Sequence, residues 1–243
     1  MLDGSADAYT RGPITLLEMT LPPPGAVDVT LPRVVRSIDS TTLREGLARC
    51  GRVVNRHARY LTRLDAVLGD GDHGDNLVIG FRAVEELLAE LPAETPPGEL
   101  LRAVGHRLVA AVGGASGPLY GTACIEAGFR AGSAAVLDAP VLATMFRAAA
   151  DGLARRGRCV PGDKTILDTL APAAAAFGEV VEAGGDVRDA YLSAIGAADR
   201  GMRSTRDLVA RRGLALRLGD RSVGTRDPGA VSCLLLLAAL GAR

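Results

Sequence analysis

The stretch LTRLDAVLGDGDHGDN, residues 61–76, joins a helical pattern to a turn that holds three glycines and four aspartates. Upstream of it, apolar residues recur every three or four positions and therefore lie on one helical face: Leu43, Leu47, Cys50, Val54, Ala58 and Leu61. The glycines interrupt this pattern, and a second helical pattern begins near Asn76. The stretch therefore predicts two helices joined by a tight acidic loop.

Helical patterns and glycine-rich connections alternate through the rest of the chain. The first helix is expected from Ser40, where Thr42 and Glu45 have the spacing of a capping box. Seven more are expected at about 76–91, 99–112, from 119, 141–156, from 165, 187–204 and 229–240. Aromatic residues make up only 3% of the chain, so the core consists of Leu, Val and Ala, which favours packed helices over sheets. The sequence predicts an all-α fold, an antiparallel bundle of eight helices.

The chain is expected to consist of a terminal arm and one domain. Residues 1–38 contain Pro13, the triplet 22–24 and Pro32, and they are interpreted as an extended arm or linker. The segment ITLLEMTL, residues 14–21, can form a short strand there. Residues 39–243 are expected to form the helical domain.

Composition and charge exclude several classes of function. Lys plus Arg equals Asp plus Glu, at 28 each, and no polybasic tract is present, so nucleic acid is not expected as a partner. The four cysteines are far apart, which argues against zinc and disulfides and favours a reducing cytoplasm. The N-terminus lacks the pattern of a signal peptide, and the longest apolar run, residues 230–242, is too short to cross a bilayer. No membrane partner is expected, and this run is interpreted as a buried helix.

The acidic loop is the strongest indication of chemistry. Clustered carboxylates repel one another unless a cation neutralises them, and oxygen ligands suit Mg²⁺ or Ca²⁺. The calcium-loop pattern fails, because Gly74 and Phe81 occupy positions that should supply ligands. Mg²⁺ is therefore the better fit. The alternative is a solvated acidic turn with a helix cap.

Three further glycine-rich segments lie between alternate helices, at the same rim of an up-and-down bundle. In GGASGPLYGT, residues 113–122, backbone N–H groups precede a helix and can hold phosphate; the alternative is a turn for close helix packing. GDKTILD, residues 162–168, is not a P-loop, and its Asp163 and Lys164 can be surface charges, with Thr165 as a helix cap. GDRSVGTRDPG, residues 219–229, starts a helix, and its arginines 221 and 226 can reach phosphates or remain solvated.

Taken in order, GDGDHGDN, GGASGPLYGT, GDKTILDTLAPA and GDRSVGTRDPGA resemble the nucleotide-binding L subunit, or C-terminal L domain, of dihydroxyacetone kinases. The resemblance covers roughly residues 40–240. It implies an eight-helix α-barrel with ADP or ATP at one rim, and two Mg²⁺ ions held by Asp65, Asp70 and Asp72. It implies a nucleotide site lined by the following residues: His73, Gly74, Asn76, Ser116, Gly117, Thr122, Gly162, Asp227, Pro228 and Gly229.

The resemblance also implies partners. A separate K subunit holds a small ketose such as dihydroxyacetone, and the L subunit presents the phosphoryl group, with no catalytic residue of its own evident. The donor is ATP, or a phosphohistidine phosphocarrier protein that rephosphorylates bound ADP. A homodimer or a hetero-oligomer is expected.

One departure from the family pattern keeps a second function open. Leu214 stands where the family commonly has an arginine near the phosphates, and Arg217 compensates only if that segment is helical. The alternative function is a non-catalytic, ADP-sensing module. The related fatty-acid kinase domain usually has a DGDTGTN-type string and a GARGNSG-type loop, and residues 71–74 and 114–118 argue against it.

Overall fold

The computed structural model describes residues 37–241. They form eight α-helices: α1 (Ser40–Leu68), α2 (His73–Glu90), α3 (Pro97–Ala111), α4 (Ser116–Ala131), α5 (Ala139–Gly157), α6 (Leu167–Glu182), α7 (Val187–Ser204) and α8 (Pro228–Gly241). Two 3₁₀ segments, Thr205–Asp207 and Leu214–Ser222, lie between α7 and α8. The all-α prediction is confirmed.

Two short strands that the sequence did not predict hold the starts of α1 and α5 together. The strands β1 (Ser37–Asp39) and β2 (Val136–Asp138) are antiparallel, with Ile38 opposite Leu137. Each strand ends in an aspartate that caps the following helix. Asp39 accepts a hydrogen bond from the Thr42 N–H at 2.8 Å, and Asp138 accepts one from the Val141 N–H at 3.0 Å. The expected Thr42–Glu45 capping box is therefore wrong. Asp39 is the N-cap of α1, and Thr42 lies inside the first turn, where its N–H donates to Asp39.

The packing of the helices follows their order in the chain. Each helix packs on the next one in the chain, and α8 packs on α1. A cavity of about 520 Å³ is lined by apolar side chains from all eight helices: Leu47, Phe81, Leu108, Ala123, Met145, Leu170, Tyr191 and Leu237. Helix α8 is apolar on all sides and mostly buried, which confirms the interpretation of the apolar run as a buried helix through residue 241.

Glycines set the closest helix contacts. A Cβ atom added to Gly105 on α3 would lie 2.6 Å from the carbonyl oxygen of Gly121 on α4. A Cβ added to Gly74 on α2 would lie 2.1 Å from the carbonyl oxygen of Ala58 on α1. Neither distance is possible for a real side chain, so the two helices of each pair are in direct contact through their backbones.

Several expected boundaries shift. The acidic loop is shorter than expected, because Asp65 belongs to α1 and residues 73–75 to α2, so only four residues separate the helices. Helix α4 begins at Ser116, three residues before the expected start, since Pro118 lies in the first turn, where its missing N–H costs nothing. Most of the proline-rich arm, including residues 14–21, lies outside the described residues, and the boundary at 38–39 falls within β1. The division into arm and domain stays a prediction.

Candidate functional site

Three carboxylates meet where α1 turns into α2. Asp65, Asp70 and Asp72 each offer an oxygen, and these atoms all lie within 4.8 Å of one another. Asp65 is buried, whereas Asp70 and Asp72 are exposed. Asp75, the fourth acid of the motif, is exposed in the first turn of α2. The arrangement offers a cation an anchored ligand on the protein side and two accessible ligands on the solvent side.

Asp65 organises this turn through its side chain. Its Oδ2 atom accepts hydrogen bonds from the backbone N–H groups of Gly71 and Asp72, both at 3.0 Å, and of His73 at 3.2 Å. Gly71 has a φ of +79°, a conformation that glycine adopts without cost. A Cβ atom on Gly69 would lie 2.3 Å from Asp65 Oδ1, so the glycines allow the chain to wrap closely around this carboxylate.

The surroundings of Asp72 raise the pKa of its carboxyl group. Desolvation raises the pKa of Asp72, the charges of Asp70 and Asp65 raise it further, and a hydrogen bond from Asn76 opposes them. Carboxylates that raise one another's pKa bind protons or cations more strongly than an isolated acid does. The like charges of Asp65 and Asp70 beside Asp72 make this turn a candidate cation site.

His73 connects the acidic turn with two other helices. Its Nδ1 atom lies 3.0 Å from Ser116 Oγ at the start of α4, and its Nε2 atom lies 2.8 Å from Ser232 Oγ on α8. Tyr120 of α4 completes the network, with its hydroxyl 2.6 Å from Ser232 Oγ. Burial lowers the pKa of His73, and the charge of Asp65 acts in the opposite direction. The buried His73 imidazole thus joins the acidic turn to the start of α4 and to α8.

The second segment faces this network with backbone groups. A Cβ atom on Gly113 would lie 2.9 Å from Asn76 Oδ1, whereas Gly114, at φ +64°, has open space beside it. Gly117 is packed so closely that a Cβ would lie 2.4 Å from the Val112 carbonyl oxygen. The start of α4 can therefore present its N–H groups to an anion.

Thr122 and Gly74, which were also predicted to line the nucleotide site, lie within the helices α4 and α2. Thr122 follows Ser116 by six residues on α4, which is about 9 Å further along the helix axis. Gly74 is buried between α2 and α1. Close packing against α1 excludes a side chain at that position.

The third and fourth segments meet at the start of α8. Gly162, at φ +95°, donates its N–H to the carboxylate of Asp168. Asp227 accepts a hydrogen bond from the Ala230 N–H at 2.7 Å and so caps α8. A Cβ atom on Gly229 would lie 3.5 Å from the Cβ of Ile166, which places Pro228 and its neighbours against the start of α6. Desolvation raises the pKa of Asp227 to about 7, and the Ala230 hydrogen bond and the charge of Lys164 oppose it.

Asp163 and Lys164 are not surface charges. Asp163 is 3% exposed and accepts hydrogen bonds from the Val160 N–H and from Arg212 Nε, at 3.1 and 3.0 Å. Lys164 is 1% exposed. The expectation was wrong because a Gly-Asp-Lys-Thr string is typical of a solvated turn, and the burial comes from segments about 40 and 60 residues away in the chain.

Sequence reasoning also missed Tyr120, Ser232 and Asp168. Ser232 and Tyr120 lie in apolar helical patterns, where a hydroxyl residue has no distinctive spacing. Asp168 binds the N–H groups of Gly162 and Thr165, and its position three residues after Thr165 was a weak signal for a side chain that returns to the preceding loop. Helix α6 has no side-chain cap, although Thr165 Oγ1 accepts a hydrogen bond from the Leu167 N–H at 3.2 Å.

Among residues 37–241, no helix combines the length and the apolar character needed to cross a membrane.

Comparison with known proteins gives a consistent picture. The DAK2 domain family matches residues 67–242. The chain is 38% identical over 201 residues to the ADP-binding subunit DhaL of the PEP-dependent dihydroxyacetone kinase of Escherichia coli, which covers 83% of this chain and 95% of that subunit. It is 39% identical over 176 residues to a D-erythrulose kinase of Mycolicibacterium smegmatis, covering 72% of this chain but only 30% of that protein.

Solved structures share the fold. The native crystal structure of the dihydroxyacetone kinase of C. freundii matches with a TM-score of 0.63 at 23% identity, covering 86% of this chain and 35% of that one. The complex of that kinase with AMP-PNP and Mg²⁺ matches with a TM-score of 0.62 at 24% identity. The match thus spans nearly the full length of the separate DhaL subunit and about a third of the length of the larger kinases.

Proposed function

Because the chain belongs to the DAK2 domain family, we propose that it is the ADP-binding subunit of a dihydroxyacetone-type kinase, which carries the phosphoryl group on a Mg²⁺-bound nucleotide. The observation that carries the proposal is the group of three carboxylates, with oxygens within 4.8 Å, beside a helix start that His73 holds in place. An ordinary acidic turn has no reason to lie next to an anion-binding helix terminus.

Asp65, Asp70 and Asp72 fit Mg²⁺ by their chemistry. All three supply carboxylate oxygens, and the exposure of Asp70 and Asp72 leaves room for phosphate oxygens and water, which Mg²⁺ usually retains as ligands. Two ions are proposed, as the family resemblance implies. When bound, the metal neutralises the charge of the phosphates.

The remaining site residues would bind and orient the nucleotide. Ser116 and the N–H groups at the start of α4 would contact phosphate, and the open space beside Gly114 leaves access to them. Gly162 and the residues 227–229 would form the wall at the nucleoside end. Each helix packs on the next, α8 packs on α1, and all eight helices line one cavity. These contacts support a barrel with these segments at one rim.

The chain is proposed to act with partners. Phosphoryl transfer depends on positioning and charge neutralisation more than on a protein nucleophile. The ketose would be held by a separate K subunit. Because the chain matches nearly the full length of a subunit named as PEP-dependent, bound ADP would be rephosphorylated by a phosphocarrier protein. Relatives include dihydroxyacetone and erythrulose kinases, so the proposed acceptor is a ketose of three or four carbons.

Calorimetry with ADP tests the proposal. The chain should bind ADP tightly with Mg²⁺ and weakly with EDTA. Asp70→Ala and Asp72→Ala should each abolish the Mg²⁺-dependent part while circular dichroism shows unchanged helicity. Equal ADP affinity with and without Mg²⁺ would contradict the proposal.

One observation favours a non-catalytic ADP sensor as a second candidate. Leu214, in place of the expected arginine, begins a 3₁₀ segment and is 41% exposed. A coupled assay with a K subunit, a phosphocarrier and triose or tetrose ketones distinguishes the two functions. Turnover supports the kinase subunit, whereas Mg²⁺-dependent ADP binding without turnover for any acceptor or donor supports the sensor.

A further inference from the structure

Lys164 is an exceptional residue in this chain. It is the only lysine among 28 basic residues, and all the others are arginines. Within residues 37–241 it is also among the largest side chains that are less than 2% exposed. Its φ of +61° is a conformation that side chains other than glycine, asparagine and aspartate rarely adopt. A buried cation in a strained backbone persists only where its surroundings hold it.

The ammonium group joins two segments that are remote in sequence. Nζ donates hydrogen bonds to the carbonyl oxygen of Thr205 and, at 2.6 Å, to that of Thr225. Desolvation lowers the pKa of Lys164, while the charges of Asp227, Asp207 and Asp168 raise it and so favour the charged ammonium. Lysine suits this place because its compact ammonium can be surrounded by carbonyl oxygens, whereas the planar guanidinium of arginine is wider.

Both contacts lead to Asp227. Thr225 precedes it by two residues, so the ammonium fixes the approach of the chain to the start of α8. Thr205 is linked to it directly, since the Asp227 N–H donates to Thr205 Oγ1 at 3.0 Å. The Thr205 hydroxyl in turn donates to the Met202 carbonyl oxygen at 2.7 Å. Lys164 thus connects the end of α7, the segment before α8 and the loop that begins at Gly162.

We propose that Lys164 is a positioning residue that holds the segment 225–229 against the loop 162–168 and so shapes the nucleoside end of the ADP site. This inference rests on the proposed function, because the wall matters only if a nucleotide binds there. The acidic turn between α1 and α2 does not depend on Lys164, since its backbone N–H groups donate to the Asp65 carboxylate. Loss of the ammonium should therefore weaken nucleotide binding and leave metal binding intact.

The test compares Lys164→Met with wild type and with Arg203→Met. Methionine keeps the length of the side chain and removes the ammonium. Arg203 is the control, because it lies two residues from Thr205 but forms only a partly exposed ion pair with Asp199, at 2.8 Å. Mg²⁺–ADP affinity is measured by calorimetry at a temperature where every variant is fully folded. Mn²⁺ affinity without nucleotide is measured by electron paramagnetic resonance.

Lys164→Met should raise the Kd for Mg²⁺–ADP at least about tenfold, the usual effect of losing a supporting contact. Its Kd for Mn²⁺, and both constants of Arg203→Met, should stay within about twofold of wild type, the range expected for changes that remove no ligand contact. A merely structural lysine would lower Tm and leave the ADP affinity of the folded protein unchanged, which would overturn the inference. If wild type itself fails to bind Mg²⁺–ADP, the proposed function fails instead.

A second measurement covers the case in which Lys164→Met does not fold. Wild type labelled with ¹⁵N at the lysine side chain gives a single ammonium resonance, because the chain has one lysine. Addition of Mg²⁺–ADP should shift this resonance, since the segment that it holds contacts the ligand. An unchanged resonance at saturating Mg²⁺–ADP would overturn the inference.

Discussion

Asp65 organises the acidic turn and is also proposed as a metal ligand, and the sequence does not distinguish these two roles. All three acids of the group have the same chemistry, but only Asp65 is buried and only its carboxylate receives three backbone N–H groups. Its charge is therefore balanced by the turn even before a cation binds. Asp70 and Asp72 remain exposed and free to serve a ligand. The same substitution should consequently have different effects at these positions.

Asp65→Ala should lower the free energy of unfolding by about 2–4 kcal/mol, because three N–H groups near the protein interior lose a charged acceptor. Asp72→Ala should change it by less than about 0.5 kcal/mol, since an exposed side chain is removed. Both variants should lose Mg²⁺ binding. Urea denaturation in EDTA measures stability, and calorimetry measures the metal. Equal stability of the two variants would show that Asp65 does not organise the turn.

The pKa of His73 predicts a pH dependence of stability. Burial lowers the pKa of His73 below its ordinary value of 6.5, so the unfolded chain takes up a proton more readily than the folded one. The stability linked to this group is fully present above the unfolded pKa and is lost as the pH falls through 6.5 toward the lower folded pKa. Wild type should therefore lose more unfolding free energy between pH 8 and pH 5 than His73→Gln does. Denaturation curves at each pH give the difference, and parallel losses would refute the expectation.

At the scale of elements, glycine decides how closely the first two helices approach. Gly74 of α2 and Gly51 of α1 both lie where these helices face one another, but their surroundings differ. A Cβ on Gly74 would lie 2.1 Å from a backbone oxygen, whereas a Cβ on Gly51 would meet only Phe81 Cβ at an ordinary 3.8 Å. Alanine substitutions at Gly74 and Gly51 can therefore be compared as a test and its control.

Gly74→Ala should lower the free energy of unfolding by roughly 1–3 kcal/mol, because α1 and α2 must move apart. The acidic turn should shift with them and the Mg²⁺ affinity should fall. Gly51→Ala should be neutral or stabilising by up to about 1 kcal/mol, because alanine favours a helix. Thermal and urea unfolding measure both variants. A Gly74→Ala protein as stable as Gly51→Ala would show that the interface adjusts without cost.

The elements themselves could be read from the sequence because helical periodicity is local. The seventh helix was expected at 187–204 and is found there, and the last was expected at 229–240 and begins one residue earlier. Errors occurred where a single side chain decides the boundary. Asp39, and not Thr42, caps α1. Helix α4 begins before the expected residue because Pro118 fits into its first turn. The short strands were missed because three residues carry too little pattern.

At the scale of the whole molecule, the candidate site combines residues that are remote from one another in the chain. The order of the four glycine-rich segments predicts that all four belong to it. The partners within it could not be predicted, because a contact such as His73 to Ser232 spans 159 residues and leaves no trace in local spacing. Lys164 shows the same limit, since its acceptors come from residues 205 and 225. The sequence shows which residue types can carry chemistry, but it does not show which side chains are buried or which ones form hydrogen bonds with each other.

A ligand that joins these remote segments should stabilise the entire fold. Mg²⁺–ADP would contact residues that begin α2, α4 and α8, so unfolding of any of these helices would require its release. At a hundred times its Kd, the complex should raise the free energy of unfolding by about 2.7 kcal/mol, and a single transition should move to higher temperature. EDTA should remove the shift, and Asp72→Ala should not show it. Calorimetric scans measure all three. A shift that ADP produces equally in EDTA would mean that the nucleotide binds without the carboxylates, at a site other than the one proposed.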